Sequence, residues 1–129
     1  MPSRWLIDGM NLIGARPDRW WNDPDRAMRE MAERLDGYAR STGDEVTVVF
    51  DKDPGGLPAL ERTEVVIASW KGRNAADHEI VETVAADAAP SELWVVTSDK
   101  KLADKVRSLG ARVAGSGSFR KRLDATDDG

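Results

Sequence analysis

Three aspartates each follow a short run of mostly apolar residues, and this repetition is the main chemical signal in the sequence. Asp8 follows WLI, Asp51 follows VTVVF, and Asp99 follows LWVVTS. Such runs are typical of buried strands, so the sequence predicts an acid at or just beyond the carboxyl end of three strands. Because ligands bind at that edge in open α/β sheets, we expect the three acids to form one acidic pocket.

A fourth acid and an asparagine extend this group. Asp77 lies at the predicted start of a helix, and Asn11 lies three residues after Asp8. Hard divalent cations such as Mg²⁺ bind carboxylate oxygens, and neighbouring carboxylates repel one another unless a cation neutralises them. A bound cation would polarise a phosphoryl oxygen and generate hydroxide from water. Asn11 would bond a carboxylate or orient the attacking water.

Each acid also has an ordinary structural interpretation when it is taken alone. Asp51 would serve as a turn residue, and Asp77 and Asp99 would serve as helix caps. His78, the only histidine, would act as a general base or, as we favour, would be an exposed helix residue or a weak substrate contact. The metal-site hypothesis is favoured because three strand-end acids and a helix-start acid occur together.

Strands and helices that must position these residues alternate along the chain. Apolar runs and helical spacing predict strands at 4–8, 46–50, 64–69, 93–97 and 111–114, and helices at 23–40, 75–89 and 99–109. We interpret 9–24 as a long connection, 115–118 as a flexible turn and 119–123 as a last helical turn. This alternation predicts a mostly parallel sheet that is covered by helices on both faces.

Composition is ordinary for a globular protein of 129 residues, and we expect one domain at 1–124 with an acidic tail at 125–129. The absence of cysteine excludes disulfides and thiolate zinc sites. We see no membrane segment and no signal peptide, and therefore expect a cytoplasmic protein. A net charge of −4 argues against a non-specific nucleic-acid coat protein, but not against an enzyme that acts on nucleic acid.

Four motifs carry a resemblance to a known family. They are DGMNLI at 8–13, VVFD at 48–51, ADHEI at 76–80 and VVTSD at 95–99. From residue 4 to residue 123, the chain resembles the NYN domain, in its YacP-like branch, of the PIN-domain nuclease superfamily. The resemblance implies a three-layer α/β/α fold whose parallel sheet has the order 3-2-1-4-5. It also implies metal-dependent hydrolysis of phosphodiester bonds, mainly in single-stranded RNA, with Mg²⁺ or Mn²⁺.

The resemblance assigns roles to individual residues. Asp8, Asp77 and Asp99 match the metal-binding acids, and Asn11 matches the motif asparagine. The candidate accessory residues are Asp51, Ser98 and His78.

Two residues depart from the family pattern. The family often has a second acid directly after the position of Asp77, where this chain has His78. It commonly has a small residue where this chain has Lys52, so a second metal subsite would depend on Glu79 or Asp53.

Basic and aromatic residues near the predicted acidic pocket are candidates for RNA binding. The main candidates are Trp70, Lys71, Arg73, Lys100 and Lys101, and further ones are Arg16, Arg19 and the basic run at 120–122. Phosphate contacts would fix the position of the RNA, and Trp70 would stack on an unpaired base. Trp20 and Trp21 would pack on the domain or stack on a base, and we favour packing. RNA is the expected partner, alone or within a larger RNA–protein assembly.

Two other classes of protein share part of this pattern. A phospho-receiver domain has a similar length and a phosphoacceptor aspartate, which Asp51 would supply. Such domains pair two acids after the first strand, however, where this chain has Asp8 and Gly9. An inactive RNA-binding or scaffold domain would keep the fold without needing the acids. The joint presence of Asp8, Asn11, Asp77 and Asp99 argues against that class.

Overall fold

The computed structural model describes residues 2–15, 19–69, 72 and 74–128, with side chains described as far as Thr126. In the described part of the chain the strands are β1 (Arg4–Asp8), β2 (Glu45–Phe50), β3 (Thr63–Ile67), β4 (Leu93–Val96) and β5 (Arg112–Ala114). The α-helices are α1 (Gly9–Ile13), α2 (Pro24–Thr42), α3 (Ala75–Ala86), α4 (Lys100–Ser108) and α5 (Ser116–Asp128). Short 3₁₀ turns lie at Trp20–Asn22 and Pro90–Glu92.

The five strands pair in parallel in the order β3-β2-β1-β4-β5, which confirms the predicted order 3-2-1-4-5. Side chains on successive residues of a strand point to opposite faces of the sheet. Trp5 and Ile7 of β1 therefore pack in one core with α1, α2 and α5, while Leu6 packs in a second core with α3 and α4. The two cores place helices on both faces of the sheet, so the fold is a three-layer α/β/α domain.

Local sequence signals determine where α2 begins and ends. The Asp23 carboxylate accepts a hydrogen bond from the Arg26 N–H at 3.2 Å, and Pro24 occupies the first turn. Gly43 ends the helix in the left-handed conformation, with φ of 79°. Since β1 and β2 are parallel, α2 must run back across the sheet, from its carboxyl edge to its amino edge.

The interpretation of 9–24 as a connection without helix is wrong in its first part, because α1 occupies Gly9–Ile13. Five residues are too few to show a helical repeat of apolar positions, and a glycine next to an aspartate looks like a turn. The 3₁₀ turn at Trp20–Asn22 lies in the same stretch.

The C-terminal segment is more helical than the sequence predicts. Helix α5 begins at Ser116 and continues to Asp128, so the flexible turn at 115–118 and the frayed tail from 125 are wrong. The predicted domain boundary after residue 124 falls inside this helix. Phe119 and Leu123, one turn apart, are buried against α2 and provide a single apolar repeat, which is too little for a prediction. None of the helices in the described ranges is both long and apolar enough to cross a membrane.

Candidate active site

Asp8 ends β1 on the same face as Leu6, toward α3 and α4, and only 6% of its surface is exposed. The Thr97 hydroxyl donates a hydrogen bond to Oδ2 of Asp8 at 3.2 Å. Burial, followed by the charges of Asp77 and Asp99, raises the pKa of Asp8 to about 6. The negative charge of Asp8 is therefore costly in the folded protein, and a cation would relieve that cost.

Asp77 and Asp99 reach the same region from two helix starts. Asp77 lies in the first turn of α3, where burial and then the charge of Asp99 raise its pKa, while Lys105 lowers it. Asp99 precedes α4, and its Oδ1 accepts a hydrogen bond from the Leu102 N–H at 3.2 Å. The helix-cap interpretation is thus confirmed for Asp99, whereas the residue at the cap position of α3 is Asn74.

A cavity of about 520 Å³ lies between α3 and α4 beside these acids. Two lysines line it, Lys101 and Lys105, together with Asn74, Asp77, His78, Val81, Asp99 and Leu102. Sequence reasoning missed Lys105. Its signal is the spacing of four residues from Lys101, which places both lysines on one face of α4.

Asn11 joins three elements at the carboxyl edge of the sheet. Its Oδ1 accepts hydrogen bonds from the Ser98 N–H at 2.8 Å and from the Ser116 hydroxyl at 2.5 Å. The Ser98 hydroxyl in turn accepts a hydrogen bond from the Ser116 N–H at 2.9 Å. Because its side-chain oxygen is held from two sides, Asn11 is fixed with its amide nitrogen left as a donor. Sequence reasoning placed Ser116 in a flexible turn and missed this role.

Of the other predicted site residues that the structure describes, some line the acidic cavity and others lie away from it. Asp51 is exposed beyond β2, and the described acids whose charges act on Asp8 are Asp77 and Asp99. His78 lines the cavity, is exposed as predicted, and lies 3.7 Å from Glu82. Among the remaining candidates, Lys100 is exposed but does not line the cavity, and Asp53 closes a turn by accepting from the Gly55 N–H. The predictions for Arg16, Trp70, Lys71 and Arg73 concern residues outside the described ranges.

The donors at this edge of the sheet have the chemistry that a hard divalent cation requires. Within the described residues, no three His, Asp or Glu side chains approach closely enough to hold one ion directly. Mg²⁺ usually binds through one or two carboxylates and retains several waters, so it does not need such a cluster. The oxygen donors of Asp8, Asp77 and Asp99, two of which have raised pKa values, fit a hard divalent cation. Direct coordination by all three stays a prediction.

Comparison with known proteins identifies the family. Residues 5–129 match the family model of the YacP-like NYN domain. The chain belongs to the YacP-like NYN family. This family is part of the PIN-like nuclease superfamily, and NYN domains are in general nucleases. The resemblance that the four motifs carry is therefore confirmed.

Solved structures agree with the fold of this YacP-like NYN domain. Two crystal structures of Rae1 (YacP) from Bacillus subtilis, one of them a point mutant, are 25% identical to it. Their TM-scores are 0.79 and 0.78, and the matches cover 99% and 98% of this chain and 76% and 77% of those chains. No curated protein matches the chain.

The hydrogen bonds of Asn11 lead to a first prediction. We expect Ser116→Ala to slow single-turnover nuclease activity about tenfold with little change in nucleic-acid affinity, because Ser116 positions Asn11 and need not touch the nucleic acid. Urea denaturation should show that the free energy of unfolding falls by about 1 kcal/mol, because one hydrogen bond is missing. The control is Ser118→Ala, at an exposed position of the same helix. Equal cleavage rates for the two variants would remove the positioning role.

Proposed function

We propose that this YacP-like NYN domain is a metal-dependent endoribonuclease that cleaves mainly single-stranded RNA with Mg²⁺ or Mn²⁺. The observation that carries the proposal is the electrostatic coupling of Asp8, Asp77 and Asp99 at the carboxyl edge of the sheet. These acids come from three separate elements, and two of them have raised pKa values because they are partly or largely buried close to other acids. Family membership supports the same class of chemistry.

Asp8, Asp77 and Asp99 would hold the cation, which when bound polarises a phosphoryl oxygen, supplies hydroxide and stabilises the leaving oxygen. The protein residues would do the positioning. Thr97 links Asp8 of β1 to Asp99, since its hydroxyl donates to the Asp8 carboxylate and accepts from the Asp99 N–H at 3.1 Å. Asn11, held through its oxygen, would present its amide N–H groups to a phosphate oxygen or to water.

Lys101 and Lys105 would hold the RNA next to the acids. Both line the cavity that contains Asp77 and Asp99, and the charge of Lys105 reaches Asp77. Lysine binds phosphate as a compact positive charge without reading the base. RNA as the partner, presentation within a larger RNA–protein assembly and a cytoplasmic location belong to this proposal.

Replacing Lys101 and Lys105 with alanine gives a second prediction. We expect RNA affinity to fall for all single-stranded sequences alike, and the salt slope to decrease by about 0.7 for each phosphate that the variant no longer neutralises. Fluorescence anisotropy in the Asp8→Asn background measures this without cleavage. Arg107→Ala, an exposed charge farther along α4, is the control. Unchanged affinity and slope in the lysine variant would place the RNA elsewhere.

Cleavage itself is tested with end-labelled single-stranded RNA and metal-free protein. We expect internal cleavage on addition of Mn²⁺ or Mg²⁺ and none with a chelator. Binding without cleavage under all conditions would instead support an inactive RNA-binding or scaffold domain. Absence of both would contradict the proposal.

A further inference from the structure

A second cavity, of about 320 Å³, lies on the sheet face that α1, α2 and α5 cover, opposite the face with the acidic cavity. Its charged lining contains four arginines and two acids, although the whole chain has a net charge of −4. We call this cavity the arginine cleft and define it by the side chains of Arg19, Trp20, Arg26, Arg34 and Arg120.

The arginine cleft lies close to the carboxyl edge of the sheet, where Asp8 and Asn11 are found. Helix α2 begins at the carboxyl edge of the sheet, so the 3₁₀ turn at Trp20–Asn22 and the first turns of α2 lie at that edge. Ile13, the last residue of α1, lines the cleft, and Arg120 donates to the Leu12 carbonyl at 3.4 Å. Helix α1 starts directly after Asp8 and rises about 1.5 Å per residue, so its five residues span about 7 Å. The cleft and the acids are thus on the two sides of one short helix.

Two arginines of the cleft, Arg19 and Arg26, are available to an anionic ligand. Within the described residues, no side chain pairs with Arg19, which is exposed. Arg26 pairs with Glu30 at 2.8 Å, and both side chains are largely exposed. Exposed ion pairs contribute little to stability, so a phosphate would compete well for this guanidinium. Guanidinium groups bind phosphate through two parallel hydrogen bonds.

The backbone of Arg19 is unusual. Its φ is 63°, and Arg19 is the one non-glycine residue with a positive φ in the described part of the chain. This left-handed conformation is unfavourable for a residue with a long side chain, and glycine would adopt it without strain. An arginine therefore occupies a position where the backbone favours glycine.

One tryptophan lines the arginine cleft and a second follows it in the same 3₁₀ turn: Trp20 is among the lining residues, and Trp21 is the next residue. Trp20 is partly buried and packs against the core, as predicted, whereas Trp21 is 55% exposed. Their rings meet edge to face, with centroids 6.3 Å apart. Trp21 thus presents an exposed ring next to the lining of an arginine-rich cleft, and aromatic rings with guanidinium groups are the combination that binds unpaired bases and their phosphates.

We propose that the arginine cleft binds one unpaired nucleotide of the RNA, outside the scissile bond, with its phosphate on Arg19 and Arg26 and its base on Trp21. This rests on the proposed function for the identity of the polymer. An acidic protein segment would offer carboxylates to the arginines but no planar ring to Trp21. RNA would then pass from the lysines of α4, across Asp8 and Asn11, to the cleft.

The test measures binding of a short fluorescein-labelled oligouridylate by anisotropy, in the Asp8→Asn background and without divalent metal. We expect Arg19→Gly combined with Arg26→Ala to weaken binding about tenfold and to decrease the salt slope by about 0.7 for each phosphate that the variant no longer neutralises. Trp21→Ala should weaken binding by a similar factor, because the base would have no ring to stack on. The control is Arg40→Ala, an exposed arginine near the other end of α2, which should leave binding unchanged.

The single variant Arg19→Gly serves as the control for correct folding. Because glycine suits the φ of 63°, this variant should melt at the same or a higher temperature than the parent while it binds RNA more weakly. A loss of affinity in this variant is then not a loss of structure.

The cleft proposal and the proposed function fail in different ways. Cleavage by the wild-type protein combined with unchanged affinity in the cleft variants would overturn the cleft proposal alone. Absence of cleavage combined with cleft-dependent RNA binding would overturn the nuclease proposal alone. Polyglutamate that displaces the oligouridylate as well as unlabelled oligouridylate does would overturn the assignment to a nucleotide, because carboxylates alone would then satisfy the cleft.

Discussion

Replacing Asp8 with asparagine is expected to abolish RNA cleavage and to stabilise the metal-free protein. Loss of one carboxylate ligand should lower the cleavage rate on the order of a thousandfold, which corresponds to about 4 kcal/mol of transition-state stabilisation. The fold should persist, because asparagine is nearly isosteric and its oxygen can still accept the hydrogen bond from Thr97.

The stabilisation follows from the raised pKa of Asp8. Burial and neighbouring acids raise this pKa from 3.8 to about 6, which corresponds to up to about 3 kcal/mol of lost stability once Asp8 ionises. The folded state binds this proton more tightly than the unfolded state, so the Asp8 contribution to stability decreases as pH rises from 3.8 to about 6 and is then constant.

Urea unfolding of metal-free protein across this pH range measures the effect. The two proteins should be similar below pH 3.8, and the asparagine variant should gain relative stability up to about pH 6. Parallel stability curves for the two proteins would show that Asp8 does not carry this penalty. Full cleavage activity in the Asp8→Asn variant would show that Asp8 does not bind the metal needed for cleavage.

Gly9→Ala is expected to cause the largest loss of stability among these substitutions. A Cβ atom at Gly9 would lie 2.5 Å from two ring carbons of Phe50 and 2.9 Å from the Val49 carbonyl oxygen. Phe50 is fully buried, so its ring cannot move aside without disturbing the core. We expect the free energy of unfolding to fall by about 3 kcal/mol, together with cleavage activity, because Asp8 is the adjacent residue.

A second glycine provides the matched control for this substitution. Gly117 lies in α5, is exposed, and a Cβ atom there would contact nothing within 4 Å. Gly117→Ala should therefore raise the free energy of unfolding by up to about 1 kcal/mol, since alanine favours a helix. Urea denaturation compares the two variants. Equal stability of Gly9→Ala and the wild type would show that the β1–α1 turn is looser than the structure indicates.

The strands and the aspartates that follow them were predictable because the signals are local, whereas the sheet order followed from the resemblance to the YacP-like NYN domain. An apolar run that ends in aspartate indicates both a buried strand and its carboxyl edge. Gly9 has a requirement that the sequence pattern does not show: a Cβ atom there would lie 2.5 Å from the ring of Phe50. Only the three-dimensional neighbours of a residue reveal such a requirement.

Features that depend on tertiary contacts were missed. Ser116 looks like part of a flexible turn until Asn11, which is 105 residues away, accepts its hydrogen bond. Lys105 looks like an ordinary surface lysine until α4 places it across the cavity from Asp77. Trp21 was expected to pack, but the short turn before α2 leaves it exposed, with its ring against Trp20 of the cleft. Such juxtapositions have no counterpart in the local pattern of the sequence.

The most direct measurement is calorimetric titration of the metal-free protein with Mn²⁺, for the wild type and for single asparagine variants of Asp8, Asp77, Asp99 and Asp51. Mn²⁺ is a hard cation, and its binding reports on the acids independently of any RNA. The account predicts that wild type binds Mn²⁺, and that Asp8→Asn, Asp77→Asn and Asp99→Asn each weaken binding about tenfold or more. Asp51→Asn should bind as the wild type does. Mn²⁺ binding that is absent from the wild type, or that is unchanged by Asp8→Asn, would contradict a metal centre at this edge of the sheet.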